Sequence, residues 1–264
     1  MIDDLGRTVS LARRPDRLVS LVPSLTELLF ALGAGDLLVG VTRFCLEPRA
    51  ARDIRRVGGT KNPEITVIRE LTPDLVIANA EENRREDVEA LAASAVPVYV
   101  TFPKTVDGAI GLVRRLADVL GRSDAGATLA ARLEAACCLS DATPAGARPL
   151  VFCPIWKRPW MSFNRDTFAH DMLSVAGGDN VCADAPARYP VVDAQSVHRR
   201  RPDIVLLPSE PYPFAPRDLD DLQQLLAPCS GAPPIVRFID GQALTWYGPR
   251  IDWGLGELRA ALAT

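Results

Sequence analysis

Two stretches far apart in the chain carry the same order of apolar and polar positions. VIRELTPDLVIAN (67–79) and VHRRRPDIVLLPS (197–209) each run from a helix end, through a Pro-Asp step, into an unbroken aliphatic run. A β-branched run without alternation predicts a strand covered on both faces, as in a parallel sheet. Proline disfavours the helical conformation in the residue before it, so Pro73 and Pro202 mark where helix gives way to strand.

The surroundings of these stretches repeat as well. Residues 18–22 (LVSLV) predict a strand that runs into a helix over 26–32, with Ser24 or Thr26 as N-cap. In the second half, a strand over 150–153 leads, after a longer loop, into a helix over 167–176. Gly33 and Gly177-Gly178 follow these helices as C-terminal stops. Each half continues with a short strand (38–41; near Val181), the Pro-Asp strand, a helix and a last strand (96–102; 233–239). Between the halves, helix 106–120 has Ile110, Val113, Leu116, Val119 and Leu120 on one stripe, and Ser123 is placed to cap a second helix, 124–139. A helix of about 16 residues spans about 24 Å at 1.5 Å per residue, enough for one stiff crossing. With no Gly/Ser linker, the lobes are not expected to swing widely. The fold predicted is α/β: two Rossmann-like lobes with parallel sheets, 1–122 and 149–264, joined by a backbone helix within 123–148.

Composition narrows the chemistry. The 264 residues are 48% hydrophobic, enough for a sizeable core, and the net charge of −3 gives no basic face for nucleic acid. His170 and His198 have no ligand-spaced partners, so no metal site of the protein's own is expected. Six cysteines without a CxxC pair predict reduced thiols, as in a reducing compartment. The N-terminus lacks a basic region followed by an apolar one, which predicts a cytoplasmic protein as written, or a periplasmic or cell-surface one if a leader has been removed. No apolar run reaches the roughly 18 residues of a membrane span.

Aromatics are only 6% of the chain, yet they gather in loops after strands: Phe44; Trp156, Trp160 and Phe163; Tyr189; Tyr212 and Phe214; Trp246 and Tyr247. Beside prolines in loops they read as stacking surfaces for a flat ligand, or as packing between lobes. The loop VPSLTE (22–27) stands where α/β sheets bind ligands. No phosphate-loop, GxSxG or HExxH pattern is present, and Cys45 has no placeable base, so no catalytic residue is predicted.

The stretches DDLGRTVSL, RPDRLVSLVPSLTELLFALG, LVGVTRFCLEP, VGGTKNPEITVIRELTPDLVIAN and WYGPRI, taken in order, resemble the cobalamin-binding branch of the helical-backbone (class III) substrate-binding proteins of ABC importers. The resemblance runs from Asp4 to the C-terminus. It implies a non-enzymatic monomer that captures cobalamin or a related tetrapyrrole in a cleft between two lobes and hands it to a permease dimer, with no cofactor of its own and no nucleic-acid partner. Phe44, Trp160 and Tyr189 match aromatics that contact the corrinoid in relatives. Further ligand contacts are expected from Pro23 and Ser24, from Thr60 and Lys61, from Asn79, Glu81 and Glu82, from Trp156 and Ser162, and from Trp246 and Tyr247. Trp246 is expected to face the ligand opposite Phe44, and Tyr247 to offer its hydroxyl to a polar edge. Relatives carry Trp where Thr60 and Asn79 stand. Glu81, Glu82 and Asn83 add acidic or hydrogen-bonding character there, or simply begin a solvated helix. The Glu that relatives present from each lobe to the importer is replaced by Thr66 and Gln195, with Glu64 and Asp193 nearby as substitutes. Other readings remain open: a haem or iron-siderophore binder, an intracellular corrinoid carrier or sensor, or an enzyme using the same cleft.

Overall fold

In the computed structural model, which describes residues 1–138, 148–227 and 233–263, each Pro-Asp step is the seam between a helix and a buried strand. Leu139 of the expected second helix, the rest of the connecting segment through 147, and Cys229 lie outside these residues. The chain divides into two units. The first comprises Met1–Pro103, Asp107–Arg132 and Tyr247–Pro249; the second comprises Lys104–Val106, Leu133–Trp246 and Arg250–Thr264.

The first unit holds a parallel sheet of β1 (Leu18–Ser20), β2 (Leu38–Val41), β3 (Leu75–Asn79) and β4 (Val98–Thr101), in the order β2-β1-β3-β4. The second repeats that order with β5 (Leu150–Phe152), β6 (Asp179–Asn180), β7 (Ile204–Pro208) and β8 (Ile235–Ile239) as β6-β5-β7-β8, again parallel. Both Pro-Asp strands, β3 and β7, are buried along their whole length.

The two seams share one hydrogen-bond pattern. Thr72 and Arg201, each just before the proline, take φ of 43° and 44°. The Asp74 N–H donates to Arg17 O at 2.9 Å, and the Asp74 carboxylate accepts the Arg17 N–H at 3.1 Å. Asp203 does the same to Leu150, at 2.8 and 2.7 Å. Each aspartate therefore pins its own strand to the start of the central one. Burial pushes the Asp74 carboxyl upward in pKa, but N–H donors from Asp16 and Arg17 and the Arg13 charge outweigh it and hold it below its ordinary 3.8.

Helix α1 (Pro23–Ala31) begins earlier than the sequence suggests. Val22 is its N-cap, with no side chain capping it, and proline fills the first turn, where its missing N–H is not needed. Ser24 and Thr26 lie inside the helix rather than capping it. The Thr26 hydroxyl instead bonds Ser20 Oγ, Val22 O and Cys45 Sγ. Helix α2 (Ile65–Glu70) precedes β3, and α3 (Arg85–Ala93) follows it. Helices α4 (Val106–Leu120) and α5 (Ser123–Cys138) succeed each other around Gly121, where a Cβ would lie 2.2 Å from Arg14 Cζ. Ser123 is the first residue of α5, its hydroxyl donating to Asp118. The division between units falls within α5, after Arg132. In the second unit, α6 (Phe168–Val175), α7 (Ala194–Arg200), α8 (Leu219–Leu226), α9 (Gln242–Thr245) and α10 (Ile251–Leu262) complete the chain. Gly33 and Gly177 follow α1 and α6 with φ of 70° and 104°, as expected of C-terminal stops.

The two sheets differ at one edge. Residues 1–9 close β4: the Asp4 N–H donates to Val100 O, and the Phe102 N–H to the Asp4 carboxylate. At the equivalent edge strand β8, Ile235, Val236 and Phe238 are exposed.

Candidate functional site

Strand order reverses between β1 and β3 in one sheet and between β5 and β7 in the other. Loops leaving the carboxyl ends of strands at such a switch point line a crevice. In each unit the sequence-predicted residues lie on these loops or the loops beside them.

In the first unit residues 23–27, expected as a loop, are the start of α1, and its first turn at Pro23-Ser24 is held from below by Tyr247. The Tyr247 hydroxyl bonds the Ser24 side chain and lies 3.4 Å from Thr101 Oγ1. Burial raises the Tyr247 pKa well above its ordinary value, with Thr101 and Ser24 partly opposing the shift. Thr101 Oγ1 donates to Ala78 O, and Asn79 Nδ2 donates to the Thr101 hydroxyl and carbonyl at 3.2 and 3.0 Å. Asn79 Oδ1 accepts from the Glu81 and Glu82 N–H groups at 2.8 and 3.1 Å. Asn83 Oδ1 accepts the Asn79 N–H, while its Nδ2 donates to Thr60 O at 2.8 Å and Leu21 O at 3.3 Å. Residues 80–82 thus form a turn sculpted by two buried amides, and α3 begins only at Arg85, so the acidic pair is not a helix start. Above this network Glu82, Lys61 and Phe44 are exposed, Glu81 and Pro23 half-buried. Lys61 Nζ donates to Glu81 O. Phe44 is 56% exposed, with the Arg43 guanidinium 5.7 Å from its ring centre.

In the second unit the loop after β5 doubles back as a hairpin. Ile155 N donates to Met161 O and Met161 N to Trp156 O, at 2.8 and 3.1 Å. Residues 190–192 add a third antiparallel run, with Val192 N on Trp160 O at 2.9 Å and Ser162 N on Pro190 O at 3.0 Å. This small flap presents Trp156 and Tyr189, 45% and 39% exposed. Trp160, half-buried, stacks on Phe214 at 5.8 Å with planes 7° apart. Trp156 meets Tyr212 edge-on at 5.7 Å. Phe163 and Phe214, read from sequence among the loop stacking surfaces, are core residues. Trp246 is half-buried in its own unit: its indole N–H donates to Glu210 Oε1 at 2.9 Å, and the Arg250 guanidinium lies 4.4 Å from the ring centre.

The structure therefore sorts the sequence candidates into two groups. Phe44, Lys61, Glu81, Glu82, Trp156, Trp160, Tyr189, Trp246 and Pro23 are at least partly accessible. Ser24, Thr60, Asn79, Ser162 and Tyr247 are buried, and this corrects their expected role as open polar contacts. Asn79 and Tyr247 are committed to the network just described, the Thr60 carbonyl accepts from Asn83, and the Ser162 hydroxyl donates to Cys153 O at 2.8 Å. They shape the loops from underneath. Asn83, read from sequence only as hydrogen-bonding character, ties Asn79 to Leu21 and Thr60. Thr101, Glu210 and Lys157 hold the same loops, and no local spacing announces them, because their partners on these loops are distant in sequence.

Glu64 and Asp193 are the N-caps of α2 and α7, equivalent places in the two units, and Thr66 and Gln195 are exposed beside them. The Asp193 carboxylate accepts the Ser196 N–H at 2.7 Å, which holds its pKa below the ordinary 3.8. His170 lies in α6 with Nδ1 3.3 Å from Asn180 Nδ2. Among the described residues no group of three or more His, Cys, Asp or Glu is placed to hold a metal ion, and no helix is long and apolar enough to cross a membrane.

Comparison with known proteins finds a family model described as periplasmic binding protein matching residues 18–226. A vitamin B12-binding protein of Pectobacterium carotovorum is 26% identical over 204 residues, covering 76% of this chain and 74% of that protein. The apo form of the periplasmic heme-binding protein RhuT from Roseiflexus sp. RS-1 is 26% identical with a TM-score of 0.76, over 94% of this chain and 97% of that one. The periplasmic vitamin B12 binding protein BtuF of Vibrio cholerae, 22% identical, shares the fold with a TM-score of 0.78 over 94% of this chain and 97% of its own.

Proposed function

This chain belongs to the periplasmic binding protein family, and we propose that it is a non-enzymatic capture protein for a corrinoid, cobalamin or a close relative, serving an ABC importer. The observation that carries this reading is the set of exposed rings at the carboxyl ends of parallel strands: Phe44 in the first unit, Trp156 and Tyr189 in the second. Scarce aromatics held out from the core offer flat faces to a large planar macrocycle, each contact adding about 0.5–1.5 kcal/mol beyond area burial. The polar turn at Glu81-Glu82 and Lys61 suits the amide-rich rim of a corrin. The name of the Pectobacterium relative supports the same ligand class. Docking to a permease falls to the exposed acidic N-caps Glu64 and Asp193, one on each unit.

Haem is the second reading, favoured by the similarity to RhuT and by Tyr189, whose phenol stands on an exposed flap where it can meet an iron. His170 is a poor axial ligand: it is half-buried in α6, and the Asn180 Nδ2 donor 3.3 Å from its Nδ1 puts the ring proton on Nε2, the nitrogen an iron would take.

Absorbance titration with cyanocobalamin, haemin and a ferric siderophore separates these ligands. Saturable binding of cyanocobalamin, with haemin weaker by tenfold or more, is the expected result. Tighter haemin binding selects the second reading, and no binding to any of the three sinks both.

A further inference from the structure

We propose that Lys157, clamped by Asp218 and Asp221, is the positioning residue that sets the aromatic flap for its ligand; the inference rests on the reading of the flap as a ligand surface. Trp156 pairs with Met161 across the hairpin, and Lys157 opens the four-residue turn between them, where its side chain folds inward. Trp156 is 45% exposed, while the Lys157 side chain next to it is only 8% exposed. Its Nζ lies 2.7 Å from Asp218 Oδ1 and 2.5 Å from Asp221 Oδ2. Asp218 is buried beside it and ties in two further groups: the Tyr212 hydroxyl donates to Oδ1 at 3.3 Å, and the Ala215 N–H to Oδ2 at 3.0 Å.

The geometry of the rings follows from this clamp. Tyr212 is the ring that Trp156 meets edge-on, and Phe214, two residues on, is the ring that Trp160 stacks upon. One ammonium therefore joins the hairpin carrying both tryptophans to the loop carrying both of their aromatic supports and to the start of α8. The carboxylates hold Lys157 charged, raising its pKa through the hydrogen bonds from Nζ to Asp218 and Asp221. A buried ion pair is weak evidence for stability, since well-packed apolar groups of similar volume often serve as well. Its direction is what an apolar contact lacks. A fixed ammonium between two carboxylates admits one placement of the hairpin, whereas a methionine in the same space would tolerate several.

The test compares the parent chain with Lys157→Met, Asp221→Asn and the charge-free triple variant Lys157→Met, Asp218→Asn, Asp221→Asn. Cyanocobalamin and haemin are the probes, read by absorbance titration and stopped-flow dissociation, with thermal unfolding followed in parallel. Lys157→Met is expected to bind the preferred probe about tenfold more weakly, chiefly through faster dissociation, as for loss of pre-organisation. Asp221→Asn leaves Asp218 in place and should lose about threefold, which keeps the test alive if Lys157→Met fails to fold. The triple variant separates positioning from stability: its unfolding midpoint should recover toward the parent while its fast dissociation persists. A folded Lys157→Met or Asp221→Asn variant with parental affinity and dissociation rate overturns this inference alone. A parent that binds neither probe overturns the ligand reading and this inference with it.

Discussion

Tyr189 and Trp160 look alike in the sequence as loop aromatics beside proline, but their surroundings separate them. Tyr189 stands out on the flap, so Tyr189→Ala should weaken corrinoid binding by about 1–3 kcal/mol, the loss of a stacked, buried ring, with the unfolding midpoint unchanged. Trp160 also stacks on Phe214, so Trp160→Ala should weaken binding similarly and lower the midpoint too. Titration and thermal melts on both variants check this contrast. The Tyr247 hydroxyl belongs to a buried network, and Tyr247→Phe should cost about 1 kcal/mol in urea unfolding by stranding part of the Ser24–Thr101 bonding. His170 gives a pH signature. Burial lowers its pKa from the ordinary 6.5, so the folded chain resists a proton that the unfolded chain accepts. Its contribution is complete above pH 6.5 and is lost as pH falls from there toward the folded value. The midpoint of the parent should drop more steeply over that interval than that of His170→Gln, as melts at a series of pH values will show.

At the scale of elements, the edge strand β4 depends on the residues before β1. The Asp3 carboxylate, fully buried, accepts the Leu5 and Arg7 N–H groups at 3.0 and 2.9 Å and the Arg7 guanidinium at 2.8 and 2.7 Å. This is the physical content of the DDLGR stretch: a tight turn that presents Asp4 to the β4 edge. Asp3→Ala strands several donors and should destabilise the chain by about 1–3 kcal/mol, measurable as a lower urea midpoint. Helices α4 and α5 make a second close fit. A Cβ on Gly126 would stand 2.3 Å from Ala117 Cβ, so Gly126→Ala, despite its better helix propensity, should destabilise by about 1–3 kcal/mol through overpacking. An unchanged or raised midpoint would show that these helices can part without loss.

At the scale of the whole molecule, ligand capture has a spectroscopic consequence. Cobalamin absorbs where tryptophan emits, so binding should quench fluorescence, and Trp246→Phe should show a smaller fractional quench than the parent if its ring lies within energy-transfer reach of the ligand. The architecture behind this was largely legible beforehand. Periodicity alone separates strands covered on both faces from amphipathic helices, and the Pro-Asp steps and stop glycines act through their nearest neighbours. Two parallel sheets of like build follow from such local rules, and the loops that carry the candidate rings follow from the strands. Local rules also fail where a partner is distant. Nothing near Tyr247 reveals that its hydroxyl lies under the first turn of α1, because that contact joins residues at opposite ends of the chain. Asn79 reads as a ligand contact until Thr101 and Asn83 close around it. Nothing near Lys157 announces Asp218 and Asp221, which the fold brings to it from more than sixty residues away. Burial and hydrogen-bond partnership are properties of the folded neighbourhood. The sequence by itself determined which segments form strands and helices, since those depend on near neighbours; only the tertiary structure decided where α1 starts, which loop side chains face outward and which hold them there.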